Sequence, residues 1–211
     1  MRPLQRWLPV SALLLVAATA ATHAQTTPQS PDALARALEQ RYSQVRDLRA
    51  SFVQTTRGGA LRVQSRGEGT VLVKKPGRMR WEYTKPEKQT ILSDGKRMYL
   101  YSQGEPEPEI VDLPPEDQAP SATLFLAGKG DILRDFAVST VATPVPGTVA
   151  LRLDPRREDP DYEYLVVAFD PKTYEIRGLM TRNRQGGDST IVFSNIRVNT
   201  GIADSNFVPK R

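Results

Sequence analysis

The fold of this chain is decided by the stretch from Val73 to Tyr83, which reads VKKPGRMRWEY. In its second half, the large apolar side chains of Met79, Trp81 and Tyr83 alternate with charged residues. A period of two is typical of a β-strand with one apolar and one charged face. The lysine–proline–glycine triplet that precedes this strand predicts a tight turn from another strand.

The same period extends along the chain in both directions. Asp94-Gly95 has the composition of a hairpin turn, and most of the other connections are short as well. Short connections favour antiparallel pairing, because parallel strands need crossovers of about a dozen residues or more. We predict eleven strands, at residues 52–56, 61–65, 67–73, 78–84, 89–93, 98–102, 110–113, 148–153, 162–169, 176–183 and 190–198.

Helical patterns occur in two places. Ser30 and Pro31 are typical of a helix start. They introduce an apolar stripe of about five turns, formed by Leu34, Leu38, Tyr42, Val45 and Leu48. Between residues 119 and 136, a second pattern predicts two short helices joined by a hinge at Gly128-Lys129-Gly130.

These elements predict an α+β fold with a single domain over residues 25–211. A large antiparallel sheet curls, and one that does not close leaves a hollow that other elements must cover. We therefore expect an unclosed β-barrel of about eleven strands capped by helices. If the helices fill the hollow, it is only a core; if they cover it as a lid, it is a pocket. The pattern leaves both possibilities open.

The composition excludes several kinds of site. The 211 residues contain no cysteine and one histidine, His23, so disulfides, thiolate nucleophiles and cysteine-based metal centres are impossible. Gly67-Glu68-Gly69 lies in a strand pattern rather than before a helix, which argues against a phosphate-binding loop. The basic residues are scattered, which argues against nucleic acid as a partner. We expect no catalytic residue, no metal and no cofactor.

Residues 1–24 have the pattern of a secretory signal. Arg2 and Arg6 precede an apolar run from Val10 to Ala21, and small residues follow. Twelve apolar residues are too few to span roughly 30 Å of hydrocarbon. We expect cleavage before Gln25 and a periplasmic, soluble protein without a lipid anchor, since no cysteine follows the apolar run. The mature chain would then have no histidine and a formal charge of +3, because Arg2 and Arg6 are removed with the signal.

The motifs of the first half resemble those of the LolA family of periplasmic lipoprotein carriers. The resemblance rests on the strand Val73–Tyr83, on Ala50-Ser51-Phe52-Val53-Gln54 after the first helix, on Gly67-Glu68-Gly69 before the turn, and on the hairpin from Gln89 to Lys96. An apolar helix pair also lies where that family carries its lid. The second half of the chain matches by pattern only.

The resemblance implies an unclosed barrel with a helical lid over a cavity for acyl chains, and no catalysis. The cavity residues it implies are Phe52, Val71, Val73, Met79, Trp81, Tyr83, Ile91, Met98, Leu100, Leu151 and Phe169, and Leu153, Val167, Leu179 and Phe193 could line the same hollow. The implied lid residues are Leu124, Phe125, Leu126, Leu133 and Phe136.

Lys75, and Met79 in addition to its place in the cavity, are implied to act as a lid latch or as a partner contact. Lys75 stands where the family has an arginine that bonds lid carbonyls, and Met79 stands where the family has an aromatic residue. The implied partners are the acyl chains of lipoproteins, an inner-membrane ABC transporter of the LolCDE type and an outer-membrane receptor of the LolB type. The carrier itself would be a monomer.

Two other functions stay open at this stage. A LolA-like domain could bind or sense another lipid, such as a glycolipid, rather than carry lipoproteins. A hydrolase using a serine, threonine or lysine nucleophile is conceivable, although no residue pattern supports one.

Overall fold

The computed structural model describes residues 29–58, 64–113, 131–160 and 162–209. Two short α-helices, eleven strands and one 3₁₀ turn, Asp204–Phe207, make up the regular structure of these residues. The helices are α1 (Pro31–Ser43) and α2 (Ile132–Asp135). The strands are β1 (Asp47–Arg57), β2 (Gln64–Lys74), β3 (Arg78–Lys85), β4 (Gln89–Asp94), β5 (Arg97–Ser102), β6 (Glu109–Asp112), β7 (Phe136–Val141), β8 (Val149–Pro155), β9 (Tyr164–Phe169), β10 (Ile176–Arg182) and β11 (Asp188–Val198).

All eleven strands form one sheet. Their order is β6-β5-β4-β3-β2-β1-β11-β10-β9-β8-β7, and each neighbouring pair is antiparallel. Only the contact between β1 and β11 joins strands that are distant in sequence, so each half of the sheet is a meander. β6 and β7 are the two edges, and the sheet does not close. The predicted unclosed antiparallel barrel is thus confirmed.

The number of strands was predicted correctly, although two individual predictions were wrong. Residues 64–65 of the predicted strand 61–65 and the predicted strand 67–73 belong to one strand, β2, which pairs with β1 without interruption from Lys74 to Gln64; residues 61–63 lie outside the described residues. Within β2, Gly69 serves a close approach of the next strand: a Cβ on Gly69 would lie 2.0 Å from the carbonyl oxygen of Glu82. β7 was not predicted, because its first residue, Phe136, was assigned to a helix.

The first helix is shorter than its apolar stripe. α1 begins at Pro31, where the Ser30 hydroxyl accepts a hydrogen bond from the amide of Ala33, and it ends at Ser43. Leu48 therefore lies in β1, not in the helix. It continued the helical spacing by coincidence, because its side chain is also directed towards the core.

One face of the sheet carries the main hydrophobic core, and we call it the inner face. α1 packs against it through Ala35, Leu38 and Tyr42, which are all buried. A smaller cluster around Val166 and Ala168 lies on the opposite, outer face. Along each strand, successive side chains point to alternate faces of the sheet.

The short helix α2 is tied to α1. Its first amide, that of Ile132, donates a hydrogen bond to the Glu39 carboxylate of α1. Burial raises the pKa of Glu39, although this bond acts in the opposite direction. Leu133 packs against the core, and Phe136, directly after the helix, is buried at the start of β7. None of the helices among the residues described here is long and apolar enough to span a membrane.

Residues 200–208 cross the outer face of the sheet, and we call them the C-terminal strap. The start of the strap is held by Asp47, the first residue of β1. Its buried carboxylate accepts hydrogen bonds from the amides of Thr200 (2.7 Å) and Gly201 (3.0 Å). The strap continues over β3 and β4, where Phe207 is buried. Burial alone would raise the pKa of Asp47, but the hydrogen bonds from the strap outweigh it and hold that pKa below its ordinary value.

We predict that Asp47→Asn destabilises the fold by about 2 kcal/mol at neutral pH, because a buried, charge-assisted hydrogen-bond network is weakened. A depressed pKa contributes stability above the ordinary pKa of 3.8, and the contribution is lost as pH falls through the folded-state pKa. The difference between the two proteins should therefore shrink below about pH 4. Urea unfolding across this range measures it, with exposed Asp112→Asn as control. A difference that stays constant with pH would contradict the assignment.

Candidate functional site

The inner face holds a cavity whose described lining is entirely apolar. Its volume is only about 10 Å³, enough for about one water molecule. The cavity lies between α1 and the centre of the sheet. It is lined by Tyr42, Leu48, Ala50, Val71, Val73, Trp81, Ile176, Phe193 and Ile196.

An aromatic cluster forms the floor of the cavity and continues beyond it. The ring centroids of Phe52 lie 5.0 Å from Trp81 and 4.9 Å from Tyr83, both in edge-to-face geometry. The ring of Phe193 lies 6.2 Å from Trp81 on the other side. These rings come from β1, β3 and β11, so the cluster joins the two halves of the sheet.

Beyond the aromatic cluster the inner face becomes polar. The Tyr83 hydroxyl donates to the Gln54 side-chain oxygen (2.6 Å), and the Gln54 amide nitrogen donates to the Ser189 hydroxyl (2.8 Å). Burial raises the pKa of Tyr83, so its hydroxyl stays protonated as the donor. On β1 the apolar part of the inner face therefore ends at Phe52, whereas on β11 it continues to Ile191, which also packs against the core.

Tyr42 holds α1 onto the sheet at two atoms. Its hydroxyl oxygen accepts a hydrogen bond from the amide of Ile176 at the start of β10 (3.0 Å). Its backbone carbonyl, in the last turn of α1, accepts a hydrogen bond from Lys75 Nζ. Burial raises the pKa of Tyr42 to about 12.

Lys75 makes this contact from the turn between β2 and β3. Its backbone amide donates to the carbonyl of Arg46 (2.9 Å), so both ends of the residue face the segment that leaves α1. The side chain is half-buried, and burial lowers the pKa of its ammonium group. Lys75 therefore reaches α1 at the cost of part of its hydration.

Asn199 secures the same segment from the other side. Its side-chain oxygen accepts from the amide of Arg46 (2.7 Å), and its side-chain nitrogen donates to the carbonyl of Gln44 (3.1 Å). Asn199 has φ +56°, a left-handed conformation that asparagine tolerates better than most residues. The sequence reasoning gave this residue no role.

The structure brings some of the predicted cavity residues together and separates others. Val71, Val73 and Trp81 line the cavity. Phe52, Met79, Tyr83, Leu151 and Phe169 belong to the same hydrophobic cluster beside it. Ile91, Met98 and Leu100 are only half-buried on β4 and β5 and lie outside that cluster.

The predicted lid and latch residues also have different positions. Leu133 is in α2, whereas Phe136 is in β7, so the prediction of a helical Phe136 was wrong. Phe136 pairs with Pro155 and Val138 pairs with Leu153 in the ladder between β7 and β8, so Phe136 is a strand residue. Leu124, Phe125, Leu126 and the hinge at residues 128–130 lie outside the described residues. Met79 is buried on the inner face and pairs with Val73 and Ser93.

The lining residues that the sequence reasoning missed had a detectable signal. Ala50 and Leu48 continue the alternation of Phe52 two and four residues towards the N-terminus, but Leu48 had been assigned to the helical stripe. Ile176 and Ile196 lie near strand ends, where short-range periodicity is weakest. Among the described residues, no group of three or more His, Cys, Asp or Glu could hold a metal ion.

We predict that Tyr42→Phe lowers the free energy of unfolding by about 1–3 kcal/mol, because the buried Ile176 amide loses its acceptor. Urea unfolding measures the loss. Tyr99→Phe is the matched control, since the Tyr99 hydroxyl donates to Asp94 (3.2 Å) at a more exposed site and its removal should cost less. Equal losses in the two variants would show that the Tyr42 hydroxyl does not anchor α1.

Comparison with known proteins gives a consistent result. The family model described as "Outer membrane lipoprotein carrier protein LolA" matches residues 43–210. An outer-membrane lipoprotein carrier protein of Ralstonia nicotianae is 30% identical over 177 residues, which cover 80% of each chain. One from Chromohalobacter salexigens is 33% identical over 153 residues, covering 71% of this chain and 69% of that protein.

A solved structure supports the fold. The structure of an uncharacterized conserved protein from Thermus thermophilus matches with a TM-score of 0.52 and 12% identity, covering 83% of this chain and 94% of that one. The family match covers the sheet from β1 to β11, including the turn that carries Lys75 and every cavity residue except Tyr42. This chain belongs to the LolA family.

Proposed function

We propose that this protein is a periplasmic carrier that shields the acyl chains of lipoproteins and moves the lipoproteins from the inner to the outer membrane. The observation that carries the proposal is the apolar cavity on the inner face, covered by a helix whose last turn accepts a hydrogen bond from the Lys75 side chain. The family membership and the names of the relatives, which describe carriers and no reaction, support it.

Physical chemistry explains why such a carrier is needed. Each methylene group that leaves water contributes about 0.8 kcal/mol, so a lipoprotein with two or three acyl chains cannot cross an aqueous space unprotected. A carrier must bury those chains and later release them. An apolar surface without convergent polar groups fits acyl chains, because they offer no hydrogen-bonding partner.

The cavity must open to receive a chain. A volume of about 10 Å³ accommodates no acyl chain, so loading requires α1 to move away from β1 and β2. The polar contacts of the α1 end are few: Lys75 and Ile176 to Tyr42, and Asn199 to Gln44. The Glu39–Ile132 hydrogen bond would carry α2 along with α1.

Lys75 suits a latch that must open. Its hydrogen bond to Tyr42 favours the closed state, while the burial that lowers its pKa opposes it. These opposing effects leave a small difference between closed and open, and a ligand with differential affinity can shift such an equilibrium. We propose a LolCDE-type transporter as the donor of lipoproteins and a LolB-type receptor as their acceptor.

The test of the carrier function is release of a triacylated lipoprotein from inner-membrane vesicles. We expect the purified protein to bring the lipoprotein into the soluble fraction as a complex that survives gel filtration. A lipoprotein variant without acyl chains is the control and should form no complex. Absence of a soluble complex with the acylated form would contradict the proposal.

The same experiment separates the alternatives. Trp81 is the only tryptophan after residue 7 and lines the cavity, so its fluorescence reports entry of a chain. A fluorescence response to glycolipid, without release of lipoprotein, would favour a lipid-binding or sensing domain. A chemically altered lipoprotein would favour a hydrolase.

We predict that Lys75→Leu lowers lipoprotein transfer about tenfold while the fold stays intact. Leucine cannot donate to the Tyr42 carbonyl, so α1 should be held less firmly over a bound chain; a change of about 1.4 kcal/mol corresponds to tenfold. Transfer between vesicles measures the effect, and circular dichroism checks the fold.

Lys85→Leu is the matched control, since Lys85 also precedes a proline at a strand end but is exposed and pairs with Glu68 (3.3 Å). Its transfer should equal that of the unchanged protein. If both leucine variants behave alike, Lys75 is not a latch.

A further inference from the structure

We propose that Asp204 of the C-terminal strap is a positioning residue for Lys75: it holds the turn between β2 and β3 in the geometry in which Lys75 reaches α1. The inference rests on the proposed latch role of Lys75. It adds the C-terminal strap, from the far end of the chain, to the parts that control the cavity.

Asp204 bridges the two cations that flank the turn. Lys74 and Arg78 face each other as the last residue pair of the β2–β3 ladder. Like charges directly opposite each other destabilise an antiparallel pair. One oxygen of Asp204 contacts both, at 2.8 Å from Arg78 Nη1 and in an ion pair with Lys74 Nζ. The carboxylate thus offsets the repulsion between Lys74 and Arg78 and holds the base of the turn together.

The C-terminal strap is fixed on both sides of Asp204. Before it, Lys74 Nζ donates to the carbonyl of Ile202 (2.6 Å), and Ile202 is buried. After it, Arg80 Nη1 donates to the carbonyl of Asn206 (3.1 Å), and Phe207 is buried. The backbone on both sides of Asp204 is therefore fixed, so its carboxylate is held beside Lys74 and Arg78.

Lys75 and Asp204 address opposite faces of the same turn. Lys75 extends from it to the Tyr42 carbonyl at the end of α1. The C-terminal strap lies against the outer face through Lys74, Arg78 and Arg80, which alternate with the inward-facing Val73 and Met79. Without the Asp204 charge, Lys74 and Arg78 should separate. The turn between them, which begins with Lys75, would then be displaced. The Lys75–Tyr42 bond would weaken although neither partner is changed.

Hydrogen exchange of the purified protein tests this without any cargo. We expect Asp204→Asn to raise the exchange rate of amides in residues 39–46 about threefold, the size expected from an exposed ion-pair network. The matched control is Asp112→Asn, which removes an exposed carboxylate paired with Arg97 (3.0 Å) on β5 and β6. Its exchange in residues 39–46 should be unchanged.

A double variant separates positioning from simple stabilisation. If Asp204 acts through Lys75, Asp204→Asn should cause no additional exchange in a Lys75→Leu background, since the bond it supports is already gone. An equal increase in both backgrounds, or an increase confined to residues 200–208, would show that Asp204 only stabilises its own segment. Either result overturns the inference.

Lipoprotein transfer then distinguishes this inference from the proposed function. If the unchanged protein transfers no lipoprotein, the carrier function fails, and the exchange data still decide whether Asp204 positions Lys75. If it transfers lipoprotein and Lys75→Leu impairs this, Asp204→Asn should lower transfer about threefold. Transfer equal to that of Asp112→Asn would overturn the inference and leave the carrier function intact.

Discussion

The structure depends on one constraint, which is that a sheet that does not close leaves an apolar inner face that must be covered. Phe52, Val71 and Phe193 occupy the centre of that face, and no strand of the sheet can shield them. α1 provides the cover through its buried stripe. Hydrophobic burial supplies most of the free energy of this contact, and it is non-directional. The apolar stripe therefore determines that α1 covers the sheet, but it does not determine how firmly α1 is held there.

Polar contacts determine where α1 is held, and many of them gather at its C-terminal end. Tyr42, Lys75, Asn199 and Asp47 connect the end of α1, the β2–β3 turn and the start of the C-terminal strap within a short distance. In the proposed carrier function, apolar burial would retain the cargo, while these polar bonds could be exchanged during loading and release.

Local periodicity accounts for most of the correctly predicted elements and also for the errors of the prediction. Strands with alternating residues, such as Arg78–Lys85, were placed within one or two residues. The errors fell where one residue fitted two patterns. Leu48 continued a helical spacing and also belonged to β1. Phe136 belonged to a strand because Val138 and Leu153 pair across the edge of the sheet.

The sequence by itself determined the fold class and the apolar inner face, and it singled out Lys75 as a candidate, because alternation, turn residues and a family motif are local properties. Only the tertiary structure decided the size of the cavity, the contacts of Tyr42, and the contacts that bring Asn199 to the end of α1, Asp47 to residues 200–201 and Asp204 to the β2–β3 turn. These last contacts join residues more than 100 positions apart. Their formation depends on the β1–β11 pairing that brings the end of the chain beside its beginning, and no local pattern encodes that neighbourhood.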